Sequence, residues 1–246
     1  PGQRAAGRSY LRANNAVARL SIDRPFVAFA RLNGPRDPGT GPVSAVRNLR
    51  AERDDHHTRP DDVEQYSYDY RFHGFTLAPH VDGLPNEDVL ERLEDADLPL
   101  FVHAGREFPP EAVETELLGY DLPVVLGSFG GYPLDADMMN ETLDLLDEHD
   151  RAYVDTSAVR YREVLERGVL EHPDRVLFGS GAPDVHPNVG VMEVLTLDVS
   201  ADLMARVLAK NPARLVPALA EGADVCLGPR PRRRIDGHLS RPGRPP

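Results

Sequence analysis

The chain has 246 residues, enough to bury one substantial core and to form a single α/β barrel. Charged residues make up 28% and hydrophobic ones 41%, a globular balance, yet the formal net charge is -12. Such an acidic body repels nucleic acid and anionic membrane surfaces, so neither is an expected partner.

In chain order, SYLRANNAVARLSI (9–22) has helical spacing through Leu11, Val17 and Leu20, and leads into the β-rich run PFVAFARL (25–32). A Gly/Pro-rich loop follows, then a polar helix over 43–53, and DDHHTRPDD (54–62) reads as a solvated loop. FHGFTLAP (72–79) is the next strand and NEDVLERLEDADL (86–98) the next helix, with Asn86 as its N-cap.

Strand and helix then alternate with little slack. LPLFVHAG (98–105) precedes PPEAVETELLGY (109–120), where Pro109 and Pro110 suit a helix start. LPVVLGSFGG (122–131) precedes DADMMNETLDLLDEHD (135–150), and AYVDTS (152–157) precedes YREVLERGVLEH (161–172). RVLFGSG (175–181) precedes helical segments from Asn188 to Leu219. The strands are continuous apolar runs, which predicts a parallel sheet buried on both faces. Repeated β-α units of this kind build a (β/α) barrel or a doubly wound sheet. Six strands are found, where a closed (β/α)₈ TIM barrel has eight.

Residues 229–246, PRPRRRIDGHLSRPGRPP, are Pro/Arg-rich without periodicity and are expected to be disordered, leaving 1–228 as the barrel domain. Six of the 28 basic residues and one of the 40 acidic ones fall in that tail, so the body carries a balance of -17. The only lysine is Lys210. Surface carboxylates with arginine in place of lysine fit a salt-adapted cytoplasm, as in a halophilic archaeon. A GC-rich genome explains the arginine but not the carboxylates. The lone cysteine, Cys226, fits a reducing compartment, and no apolar run approaches the roughly 18 residues of a membrane helix, so a cytoplasmic location is expected.

From about Ala13 to Leu219 the chain resembles the amidohydrolase-related family, metal-dependent TIM-barrel hydrolases and decarboxylases of small carboxylated or cyclic substrates. FHGFTLAPHVDGLPNED is similar to the family's Gly-x-Lys-Leu-x-Pro segment at strand four, with Thr76 where lysine is usual. LPLFVHAG resembles its strand-five motif, which implies His103 as a metal ligand. LPVVLGSFGG, AYVDTS and RVLFGSGAP resemble strands six to eight, and VLAKNPARLV its closing helix. On this alignment the six strands are the third to the eighth, with the first two expected before Pro1.

The departures bear on chemistry. The His-x-His pair that opens the family's metal site has no counterpart, and the adjacent His56 and His57 have the wrong spacing. Ser128 stands where the strand-six histidine is expected, and Gly181 where the strand-eight aspartate is expected. Metal hydrolysis needs several deprotonated ligands and a base, and glycine supplies neither. Asp184 and His186 follow the missing aspartate and are the candidates for a rescued ligand, although Pro183 and Pro187 point to a loop that turns away.

Arg106, Asp155 and His80 are candidate substrate-binding residues. Their bland readings are a salt bridge from Arg106 to Glu107 or Glu111, a helix cap at Asp155 and Ser157, and a solvent-facing loop at His80. Gly130 and Gly131 are a weak sign of anion approach.

Three functions stay open. One is the family activity with zinc or manganese, its metal site largely lost in this chain. The second is a metal-free relative that binds a small molecule or acts in regulation. The third is an inactive truncated product. A small-molecule ligand is the expected partner in the first two, with a homodimer as an open alternative.

Overall fold

A computed structural model describes residues 10–24, 26–39, 41–68 and 71–220. The arginine-rich tail therefore lies outside the described residues. Six parallel strands form one sheet in sequential order: β1 (Ala30–Arg31), β2 (Phe75–Leu77), β3 (Leu100–Val102), β4 (Val124–Leu126), β5 (Ala152–Asp155) and β6 (Val176–Leu177). The register runs Arg31, Thr76, Phe101, Val125 and Tyr153 across one row, with Leu77, Val102, Leu126, Val154 and Val176 in the next.

The helices are α1 (Leu11–Asp23), α2 (Pro42–Asn48), α3 (Pro60–Ser67), α4 (Pro79–Asp82), α5 (Glu87–Ala96), α6 (Pro110–Leu117), α7 (Ala136–Glu148), α8 (Arg162–Glu171), α9 (Pro187–Leu195), α10 (Ala201–Ala205) and α11 (Asn211–Leu215). A π-helical turn, Arg206–Lys210, joins the last two. The longer helices between the strands bury an apolar stripe. In α5 these are Val89, Leu90 and Leu93, and in α8 Val164, Leu165 and Val169. Helix α7 starts where the Asp135 carboxylate accepts the Met138 N–H, and buries Met139, Leu143 and Leu146. This is an open TIM-barrel sheet with alternating helices.

Burial on both faces does not hold. Side chains alternate across a strand. The helix-facing set (Ala30, Leu77, Val102, Leu126, Val154) is buried, whereas on the other face Phe29, Arg31, Thr76, Phe101 and Tyr153 are half-buried and Val125 of central β4 is fully covered. Among the described residues, six strands in an unclosed sheet put no opposing wall of strands against the inner face.

Two boundaries also differ. Helix α2 ends at Asn48 rather than Arg53, and the reading of 54–62 as loop misses the start of α3, whose Pro60 opens the helix. The same stretch is less solvated than its composition suggests. Buried Asn33, just past β1, accepts from the Thr58 N–H (2.9 Å), donates to the His56 carbonyl (3.1 Å) and gives its own N–H to Thr58 Oγ1 (3.0 Å).

The sheet edges are covered locally. At β1 the buried side chain of Asn14 accepts from the Arg31 N–H (2.9 Å) and donates to the Arg31 carbonyl (3.0 Å), as a neighbouring strand would. Just beyond β6, the Phe178 N–H donates to the Val207 carbonyl at 3.0 Å.

Candidate active site

In parallel α/β sheets the loops after the strands converge on one face, where ligands bind. His103 follows β3 directly, Ser128 lies in the turn after β4, Asp155 ends β5, and Gly181 follows β6. All four are on that rim. By strand alternation His103 and Asp155 point to the half-open inner face, in line with Phe101 and Tyr153.

His103 sits among aromatic rings. Its imidazole lies 5.1 Å from the His80 ring and 4.6 Å from the Tyr132 ring, centroid to centroid. Burial, with a smaller contribution from the like charge of His80, pushes the His103 pKa below the ordinary 6.5, against the opposing pull of Asp155 and Glu107. The imidazole is thereby kept neutral at physiological pH.

His80 is not a loop residue: it lies in α4, half-buried, with Nε2 at 3.5 Å from Glu107. Arg106 is exposed and faces Asp135 at 3.9 Å instead of Glu107 or Glu111. Its side chain is largely solvated.

Asp155 anchors the turns around it. Its Oδ1 accepts the N–H of Ser157 (2.8 Å), the Ser157 hydroxyl, and the N–H of Ser128 (3.1 Å) across the strand gap. Ser128 and Ser157 place their hydroxyl oxygens 3.2 Å apart. To present its N–H, Ser128 takes a left-handed conformation (φ 55°), followed by Phe129 (φ 51°). Ala158 (φ 55°) and Gly181 (φ 69°) adopt the same region on the neighbouring loops. Non-glycine residues in this region cost energy and gather where function constrains the backbone. Gly130 and Gly131 allow close packing: Thr142 fills the space of a Gly130 side chain, and the Asp135 carbonyl and Met139 that of Gly131.

The proposed rescue residues do not come inward. Asp184 and His186 are exposed, and His186 Nδ1 caps α9 by accepting the Asn188 N–H at 3.2 Å. A catalytic zinc usually takes three protein ligands. Among the described residues, the groups of three ligand types within 4.8 Å of one another are Asp54–His56–His57 and Glu114–Glu148–His149. Neither includes His103 or Asp155.

One arrangement escaped the sequence reading. At the β1 end of the mouth, the carboxylate of Asp82 is fully buried and receives Nε and Nη2 of Arg31 at 3.1 and 2.9 Å, the Tyr10 hydroxyl, and the Ala78 N–H at 3.1 Å. The spacing of Asp82 four residues after Ala78 gave the only hint, since it matches a single helical turn closing on its own start.

The fold is a half-open TIM-barrel sheet with a histidine and an aspartate at its C-terminal rim. The sequence matches the amidohydrolase family over residues 8–218, and the chain belongs to that family. Solved structures agree on the fold. A TIM-barrel protein from Bordetella bronchiseptica is 19% identical, with 83% of this chain and 72% of that chain covered and a TM-score of 0.60. A 5-carboxyvanillate decarboxylase from Sphingomonas paucimobilis is 17% identical over 88% and 75%, with a TM-score of 0.60. A dihydroxybenzoic acid decarboxylase from a Polaromonas species, with bound manganese and the inhibitor 2-nitroresorcinol, is 17% identical over 84% and 74%, with a TM-score of 0.57. The search of curated proteins gives no match. No described helix is long and apolar enough to cross a membrane.

Proposed function

We propose that the mouth around His103 binds small carboxylated or cyclic molecules, and that it descends from a metal-dependent hydrolase or decarboxylase whose metal site is largely lost in this chain. The observation that carries this reading is the state of Asp155. Its Oδ1 accepts from three donors of Ser157 and Ser128, which makes it a brace for the β4 and β5 turns and leaves Oδ2 as the only oxygen it can offer to a ligand. The rim position after β6 carries Gly181, which has no ligand to add. What is left is a neutral imidazole between the rings of His80 and Tyr132, suited to accept one hydrogen bond from a flat ligand stacked beside it.

A second reading, retained catalysis with zinc or manganese, has the family membership and the manganese-bound decarboxylase neighbour in its favour. On either reading the chain works in a reducing, salt-rich cytoplasm, supported by the single cysteine and the acidic body. The test is the metal content of protein purified without chelator, together with hydrolysis of a panel of lactones and cyclic amides. Well under one metal per chain is expected. About one tightly held metal, lost together with activity in His103→Ala, overturns the proposal in favour of the second reading.

A further inference from the structure

We propose that Arg31 is the carboxylate-binding residue of the mouth, a role built by its pairing with buried Asp82. This rests on the small-molecule reading above and names the group that recognises the ligand's charge.

A guanidinium has two edges that can each grip a carboxylate with two parallel N–H groups. One edge is formed by Nε and Nη2, the other by Nη1 and Nη2. In Arg31 the first edge is committed to Asp82, at 3.1 Å and 2.9 Å. No other side-chain acceptor for Arg31 occurs among the described residues, so the second edge is uncommitted. The two groups differ sharply in exposure: the Asp82 side chain is 0% exposed and that of Arg31 43%. The pair is therefore not closed off from solvent, and its open side belongs to the arginine.

The location is also right. Arg31 stands in the same register row as Thr76 and Phe101, on the half-open inner face that His103 and Asp155 share. One strand, β2, lies between β1 and β3, and two spacings of about 4.8 Å put Arg31 and His103 on the order of 10 Å from each other. That is the span of a small ring with a substituent at each end. Between them the floor is aromatic, with Phe29 and Phe101 packed edge to face at 5.2 Å.

Everything about Arg31 limits its motion. Its backbone N–H and carbonyl are both held by Asn14, and its guanidinium lies 4.7 Å over the Tyr10 ring. Tyr10 itself stays a donor to Asp82, because burial and that hydrogen bond push its hydroxyl up to about 12. A guanidinium fixed in advance loses little freedom on gripping a ligand, which favours affinity.

The experiment titrates benzoate, isophthalate and the uncharged benzamide into wild-type protein and Arg31→Lys, with thermal melts to check folding. Lysine keeps a positive charge beside Asp82 but has no second planar edge. Benzoate binding should weaken about tenfold or more in Arg31→Lys, with benzamide unchanged. Independently of any variant, benzoate should shift the Arg31 guanidinium signals in side-chain nitrogen NMR of the wild type, and benzamide should not. Benzoate affinity within twofold of wild type in a folded Arg31→Lys, unmoved Arg31 signals, or no benzoate binding at all overturns the assignment. Benzoate binding that is lost in His103→Ala but intact in Arg31→Lys refutes Arg31 alone and leaves the small-molecule mouth standing.

Discussion

The carboxylate of Asp155 at the end of β5 accepts the backbone N–H of Ser128 from the turn after β4, at 3.1 Å. One side chain thus ties two adjacent rim turns, and Ser128 is held in a left-handed conformation to meet it. Asp155→Ala leaves that N–H and the Ser157 donors without an acceptor, at a cost of about 1–3 kcal/mol. For a chain of this size the melting temperature should fall by about 2–4 °C per kcal/mol. Asp155→Asn, which keeps an oxygen acceptor, should lose less. Equal losses in the two variants would show that the carboxylate's charge, and not its acceptor geometry, matters.

Two glycines separate backbone strain from packing. Gly130 and Gly181 have nearly the same φ, 70° and 69°, but a Cβ on Gly130 would stand 2.1 Å from Thr142 Oγ1. On Gly181 its nearest neighbours are at 3.5 Å. Gly181→Ala should cost about 1–2 kcal/mol from the left-handed backbone alone. Gly130→Ala should cost that plus about 1–3 kcal/mol of overpacking. Denaturant midpoints of the two variants check the order.

His172, buried after α8, supplies a pH dependence away from the mouth. Burial, aided by the Arg175 charge, lowers its pKa from 6.5, with Asp147 and Glu171 opposing. Its Nδ1 faces Arg175 Nη2 at 3.1 Å and accepts from it, so protonation would oppose donor to donor. The unfolded chain takes up this proton near pH 6.5 and the folded one only lower. The stabilisation is therefore present above pH 6.5 and lost as pH falls through the folded value. His172→Gln should flatten that part of the stability profile, measured by denaturation between about pH 7 and 5.

If the mouth lacks a metal of its own, EDTA should leave the melting temperature where it was, since removal of a ligand bound to the native state always lowers it. A drop of several degrees, reversed by zinc or manganese, argues for the metal-dependent reading.

The acidic body predicts a salt response. The screening length falls from about 10 Å to about 3 Å between 0.1 and 1 M salt, which weakens repulsion among excess carboxylates. Melting temperature should rise over that range in KCl, and a flat or falling profile counts against salt adaptation.

The βα order was legible in the sequence because buried strands and amphipathic helices have different periods. LPLFVHAG, LPVVLGSF and AYVDTS all hold the strands expected of them. The half-open inner face was not legible, since a continuous apolar run looks the same whether one face or both are covered. His103 could be picked out because it ends an apolar strand. Asp82 and Arg31 could not, because they lie 51 residues apart and an aspartate before glycine reads as an ordinary turn. The α3 start was hidden by the polar residues Asp61 and Asp62, which suit a helix's first turn as well as a loop.

An unclosed sheet ends in two strands whose backbone groups can recruit a foreign strand, the route to amyloid-like stacking. Here β1 and β6 are two residues long, and the Asn14 amide already occupies the outer rung at Arg31. An intruding chain therefore meets a plugged edge at β1, so Asn14→Ala should show its effect less in the melting temperature than in the onset of aggregation at high protein concentration.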